Sequence, residues 1–298
     1  MSNETRTAWI GTLWNRSTTN VHALARLTAR RYLATMILAD KIVIVSGIGP
    51  GLGIELATLA AAEGAGGVAI AARTGAKLDH AEAAIRARGL ATRVLKVPTD
   101  VRDQSQCERL VAATVEAFGR VDALVNSAYV PGKFEPMEHA DLADWRTTLD
   151  VNLFGTMQLT QAVIPVMKRQ GGGAIVMINS MVTRKPMPYQ GGYAVSKSAL
   201  TTATAQLALE LGAYQIRVNS CYMGWMWGPP VEGYLTAAAQ QQGTTVAALA
   251  ADIAKRIPLG RIPDDAECAK AALFLISDYA GAVTGAALDV NGGEFLPR

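Results

Sequence analysis

Seven short apolar runs, spread from residue 41 to the C-terminal end, restrict the folds open to this chain: KIVIVSG, GVAIAAR, RVLKVPTD, VDALVNSA, AIVMINS, IRVNSCY and AALDVNG. Each is mostly continuous in hydrophobicity rather than alternating, the pattern of parallel strands buried on both faces. The intervening segments carry a helical period. In CERLVAATVEAFG, for example, Leu110, Val111, Val115 and Phe118 recur on one face. Strand alternating with helix predicts an α/β fold: a Rossmann-type, doubly wound parallel sheet of about seven strands with helices on both faces.

At 298 residues the chain is long enough for one such domain, expected over residues 39–298. Half of its residues are hydrophobic and 18% are charged, a soluble globular composition rather than a disordered one. No apolar run approaches the roughly 18 residues of a membrane span. Cys107, Cys221 and Cys268 are odd in number and lack metal-ligand spacing. They read as thiols of a reducing compartment, so a cytoplasmic protein without a metal site is expected. The net charge of +3 sits in residues 1–38, where five arginines face Glu4 alone, and nothing suggests a nucleic-acid surface. That basic stretch reads either as a disordered, dispensable extension or as a targeting or oligomer-contact arm.

The first apolar run ends in SGIGPGLGIELATLAA, with Gly47, Gly51 and Gly53 in a G-x-x-x-G-x-G spacing at the start of a helix. Glycines there allow a sharp turn and a close approach to a pyrophosphate, which the helix N-terminus attracts. After the second run, an NAD-binding protein of this layout places an acid for the ribose hydroxyls; here the residue is Arg73. A guanidinium offers a 2′-phosphate bidentate hydrogen bonds, so NADP(H) is expected in preference to NAD(H). The bland reading of Arg73 is stacking on an adenine or exposure to solvent. Asp100 ends the third run, where its carboxylate can accept the adenine amino group or cap the next helix.

Tyr193 and Lys197, four apart in YAVSK, fall on one helical face, about 6 Å apart along the axis. An ammonium so placed is expected to pull the phenol pKa down from about 10 toward neutrality, which suits a proton donor and acceptor at a substrate oxygen. Ser180 lies beyond Pro186, Pro188 and Gly191-Gly192, so it belongs to the preceding strand end and approaches the same oxygen from there.

With SGIGPGLG, TDV at 99–101, VNSA at 125–128, DVNLFG at 150–155, Ser180, YAVSK at 193–197 and TGAALDVNGGE in that order, the chain from about residue 38 onward resembles the short-chain dehydrogenase/reductase family. The resemblance implies NAD(P)(H), a homodimer or homotetramer, and catalysis by Asn152, Ser180, Tyr193 and Lys197. Lys197 would also hold the nicotinamide ribose, and Asn152 would shape a helix for a water-mediated proton relay. Cofactor contacts carry over to Gly47, Gly51, Leu52 and Gly53, to Arg73, Asp100 and Val101, and to Asn126 and Ala128. Gly224 and Met226 are expected to cover the nicotinamide.

The chain departs from the family pattern in three places. Tyr129 stands where glycine is common, Met223-Gly224 replaces Pro-Gly, and Gly228 falls near a frequent threonine. Tyr129, Met181, Met187, Tyr189, Trp225 and Trp227 are candidates for an apolar substrate wall, though Met and Trp at such places also serve as core or oligomer contacts. Residues 229–262 form an insertion, either a lid or a surface subdomain. The expected reaction interconverts a hydrophobic secondary alcohol and its ketone. An enoyl reductase is less expected, because those relatives space tyrosine and lysine more widely. The alternative from another class is a non-catalytic, nucleotide-sensing scaffold.

Overall fold

The computed structural model describes residues 36–297. The basic extension therefore lies almost wholly outside the described residues. In the first half, β1 (Ile42–Ser46) leads to α1 (Leu52–Ala62), β2 (Gly67–Ala72), α2 (Gly75–Ala87), β3 (Arg93–Pro98), α3 (Gln104–Phe118) and β4 (Ala123–Asn126). The second half begins with α4 (Leu142–Leu149), a π-helical stretch Asp150–Gly155, α5 (Thr156–Gln170) and β5 (Gly173–Ser180). It continues through α6 (Gly191–Leu211), β6 (Ile216–Met223), α7 (Pro229–Gln242), α8 (Val246–Ala254), α9 (Asp265–Ile276) and β7 (Ala287–Val290).

The strands form one seven-stranded sheet in the order β3-β2-β1-β4-β5-β6-β7, with every neighbouring pair parallel. Every residue of β1 and β2 is buried, as their continuous hydrophobicity requires. One core includes Leu56 of α1 and Leu273 of α9; the opposite core takes Leu110, Leu159 and Leu207 from α3, α5 and α6. Leu38 is fully buried and its N–H donates to the Glu63 carbonyl at 3.0 Å, so packing begins ahead of β1. Asp103, not Asp100, caps α3, accepting from the Gln106 N–H. That leaves the Asp100 carboxylate for another partner.

Chain direction across the sheet reverses between β1 and β4, whose ends Ser46 and Asn126 stand in register. A doubly wound sheet opens a crevice at this point, beyond the carboxyl ends of its strands. Residues 229–262 contain α7 and α8, which close around Leu235, Ile253, Ile257 and Ile262 as a small separate core. Pro229 and Pro230 start α7 where their missing N–H groups cost nothing.

Candidate active site

A cleft of about 470 Å³ follows the crevice from the end of β2 to the first turns of α6. Its floor is the glycine-rich loop. Gly47 and Gly51 have φ of 94° and 88°, in the left-handed region that favours glycine. A Cβ on Gly47 would strike the backbone of Ala128, so the loop rests directly on the end of β4. No side chain caps α1, which leaves its first-turn N–H groups, beside Leu52 and Gly53 in the cleft wall, available to an anion.

At one end of the cleft stand Arg73, Thr74 and Lys77, with Asp100 and Val101 opposite. Arg73 makes no ion pair among the described residues. Arg102 grips Asp100 through two nitrogens, one contact being 2.6 Å, and this guanidinium holds the carboxyl below its usual range.

At the other end Ser180, Tyr193 and Lys197 converge, although they come from β5 and α6. The Ser180 hydroxyl lies near enough to Tyr193 to favour its ionised form, against the larger effect of burial, and it accepts the Val182 N–H at 3.3 Å. Lys197 donates to the Ile178 carbonyl at 2.7 Å and lies 5.8 Å from the Tyr193 ring centroid. The electrostatics differ from the expectation that lysine would pull the phenol down. Burial raises the Tyr193 pKa above its ordinary value, and burial lowers Lys197 to about 7. Lys197 is buried and Tyr193 partly so, and withdrawing the lysine nitrogen from water disfavours its charge.

Two asparagines brace this group from beneath. Asn179, beside Ser180 on β5, donates to the Lys197 carbonyl at 3.2 Å and to Thr201 at 3.1 Å, tying the sheet to α6. Asn152 is fully buried in the π-helical stretch. Its side chain exchanges hydrogen bonds with both backbone groups of Val130 and donates to Ser196 at 3.0 Å. It thus joins the loop after β4 to α6, and it lines no part of the cleft.

Among the other predicted residues, Tyr129, Gly224, Trp225 and Met226 line the cleft, and the Tyr129 ring centroid lies 6.2 Å from that of Tyr193. Four do not. Asn126 is buried against Thr160 and the Met177 sulfur, Met181 is buried, and Tyr189 is exposed with a left-handed φ of 68°. Trp227 packs against the core of the α7–α8 hairpin, and its backbone N–H donates to the Pro263 carbonyl at 2.7 Å. Met187, close to Gln190 at 3.9 Å, is likewise outside the cleft wall.

Sequence reading passed over Thr74, Lys77, Asn179, Pro230, Val231 and Asp265, all of which line the cleft. Lys77 was findable, one helical turn beyond Arg73, and Asn179 adjoins Ser180. Asp265 carried no signal, since only folding brings it to the glycine-rich loop.

The donor set fits a nicotinamide dinucleotide: cations at the β2 end, an uncapped helix start in the middle, and a phenol and amine at the far end. A family model described as "Enoyl-(Acyl carrier protein) reductase" matches residues 47–294. Levodione reductase of Leifsonia aquatica is 31% identical over 86% of this chain and 94% of its own, and its crystal structure superposes with a TM-score of 0.80. Dehydrogenase/reductase SDR family member 4 of Oryctolagus cuniculus is 33% identical over 86% of this chain and 94% of its own. L-Sorbose reductase of Gluconobacter frateurii, solved with NADPH and L-sorbose, has a TM-score of 0.83 at 27% identity, covering 89% of this chain and 100% of the other. Motif order, sheet topology and these likenesses agree, and the chain belongs to the short-chain dehydrogenase/reductase family.

Proposed function

We propose that this oxidoreductase interconverts an apolar secondary alcohol and its ketone, with NADP(H) preferred over NAD(H). The convergence of Ser180 and Tyr193 at one end of the dinucleotide-sized cleft carries this reading. When bound, the nicotinamide supplies or accepts the hydride at the substrate carbon. Tyr193 holds the proton at its hydroxyl, and its raised pKa keeps it a donor toward a developing alkoxide. Ser180 aims a second hydroxyl at the same oxygen, and Lys197 fixes the ring side of the site through Ile178. Asn152 and Asn179 hold α6 against the loop and the sheet, so that Tyr193 keeps its place.

Arg73 with Lys77 supports the NADP(H) preference, as both offer charge to a 2′-phosphate. Solved members bearing NADPH and NAD⁺ both resemble this chain, so that preference rests on these side chains. Tyr129 and Trp225 support an apolar substrate, and Pro230 and Val231 support a covering role for the α7–α8 hairpin. The tyrosine–lysine spacing favours alcohol and ketone over an enoyl substrate. Three buried, unpaired cysteines are consistent with a cytoplasmic protein, read here as a homo-oligomer. No described helix is long and apolar enough to cross a membrane.

Tyr193→Phe tests the reading. Turnover on a panel of secondary alcohols and ketones should fall by about 10²–10⁴-fold with dinucleotide affinity retained. A biological activity untouched by that substitution would favour the nucleotide-sensing scaffold instead.

A further inference from the structure

Asp265 stands at the N-terminus of α9 and lines the cleft, yet it is only 7% exposed. Its Oδ2 is buried without a hydrogen-bond partner, and no cation pairs with it among the described residues. Glycines on two other elements make room for the carboxyl group. A Cβ on Gly51 would come within 2.5 Å of Oδ2, and one on Gly228 closer still. The Trp227 carbonyl accepts the Asp265 N–H at 3.1 Å, which pins the side chain between the glycine-rich loop and the root of the α7–α8 hairpin.

Such an oxygen is costly unless something donates to it or it carries a proton itself. Three acids facing it make the charged form worse: Glu55 from α1, Glu232 from α7 and the adjoining Asp264. Tyr129, from the loop after β4, also faces it but is neutral, its own pKa raised by burial and by the Asp265 charge. Burial first, and these acids second, raise the Asp265 pKa to about 6. The glycine-rich loop is where the cleft offers N–H groups to a diphosphate. An ionised Asp265 would oppose that anion, whereas a neutral acid has an O–H to give it.

We propose that Asp265 binds the dinucleotide diphosphate as a neutral carboxylic acid, so that cofactor binding takes up a proton. This rests on the reading of the cleft as a dinucleotide site and adds a pH dependence to it. Affinity falls as pH rises through neutrality, because the free carboxylate must first be protonated.

Calorimetric titration of NADH, at pH 7 and in two buffers of different ionisation enthalpy, counts the protons. Wild type should take up about half to one proton, and its Kd should loosen about three- to tenfold between pH 7 and pH 8. Asp265→Asn should abolish the uptake and flatten the Kd profile, with tighter binding than wild type at pH 8. NADPH serves equally, because its own titration cancels in the difference between the two proteins. Adenosine, which lacks the diphosphate, should bind wild type without uptake, a comparison that needs no variant. Binding without uptake, uptake retained in Asp265→Asn, or equal uptake with adenosine overturns the proposal and leaves the cofactor reading intact. Failure of both dinucleotides to bind at any pH overturns both.

Discussion

Lys197 directs its side-chain nitrogen to the Ile178 carbonyl, 2.7 Å away, and not to the Tyr193 hydroxyl, although the two residues share one face of α6. The nitrogen is buried, and its pKa falls from 10.5 to about 7. The unfolded chain therefore holds this proton up to about pH 10.5, while the folded chain releases it near pH 7. Within that window the unfolded state binds more protons, so stability rises with pH, by at most about 1.4 kcal/mol per unit. Lys197→Met should remove this slope and leave the variant more stable than wild type at pH 7. Denaturant unfolding of both proteins at several pH values between 7 and 10 measures the difference, and parallel profiles would contradict it.

Ser180, at the carboxyl end of β5, lines the same end of the cleft as Tyr193. Ser180→Ala should lower kcat by about 10²–10³-fold, the scale for losing one donor to a developing oxyanion. Dinucleotide affinity should stay within about twofold of wild type. The variant also loses the acceptor for the Val182 N–H, which costs about 1 kcal/mol of local stability at most. Steady-state kinetics and a separate binding titration distinguish the chemical effect from the structural one.

Arg73 and Lys77 share the β2 end of the cleft. Arg73→Ala should weaken NADPH by about 10–100-fold, as expected for one charge-assisted contact to phosphate, and NADH by less than about threefold. Lys77→Ala should act in the same direction with a smaller effect. Equal losses for the two dinucleotides would remove the basis for an NADP(H) preference.

Trp145 of α4 lies against the first turn of the helix that carries Tyr193. A Cβ on Gly191 would come within 2.7 Å of the indole, and one on Gly192 within 2.8 Å. Gly192→Val should therefore displace either the ring or the helix start, destabilising the protein by about 1–3 kcal/mol. Tyr193 is the next residue, so kcat should fall at least tenfold. Combining Gly192→Val with Trp145→Ala should restore part of both losses, since the space in dispute is then free. Thermal unfolding and kinetics on the two single variants and the double variant measure the coupling.

The fold could be read from the sequence because its signals are local. Continuous apolar runs, helical periods and the glycine spacing at 47, 51 and 53 each act within a few residues, and together they specify a seven-stranded doubly wound sheet. The tyrosine–lysine pair was legible for the same reason, as four residues make one helical turn. Trp225 and Trp227 show where local reading stops. They are two residues apart and both pack against the hairpin core, yet only Trp225 also lines the cleft, a difference set by the surrounding packing and not by any local pattern.

Residue types and spacing alone determined which groups could carry the chemistry, since helix and strand periods fix which neighbours share a face. Tertiary structure alone decided their ionisation and company. Burial, which depends on everything packed around a residue, lowers Lys197 instead of charging it and raises Tyr193. The same packing brings an unpaired Asp265 to a glycine loop more than two hundred residues earlier. Desolvation is a property of the assembled interior, and no stretch of sequence contains it.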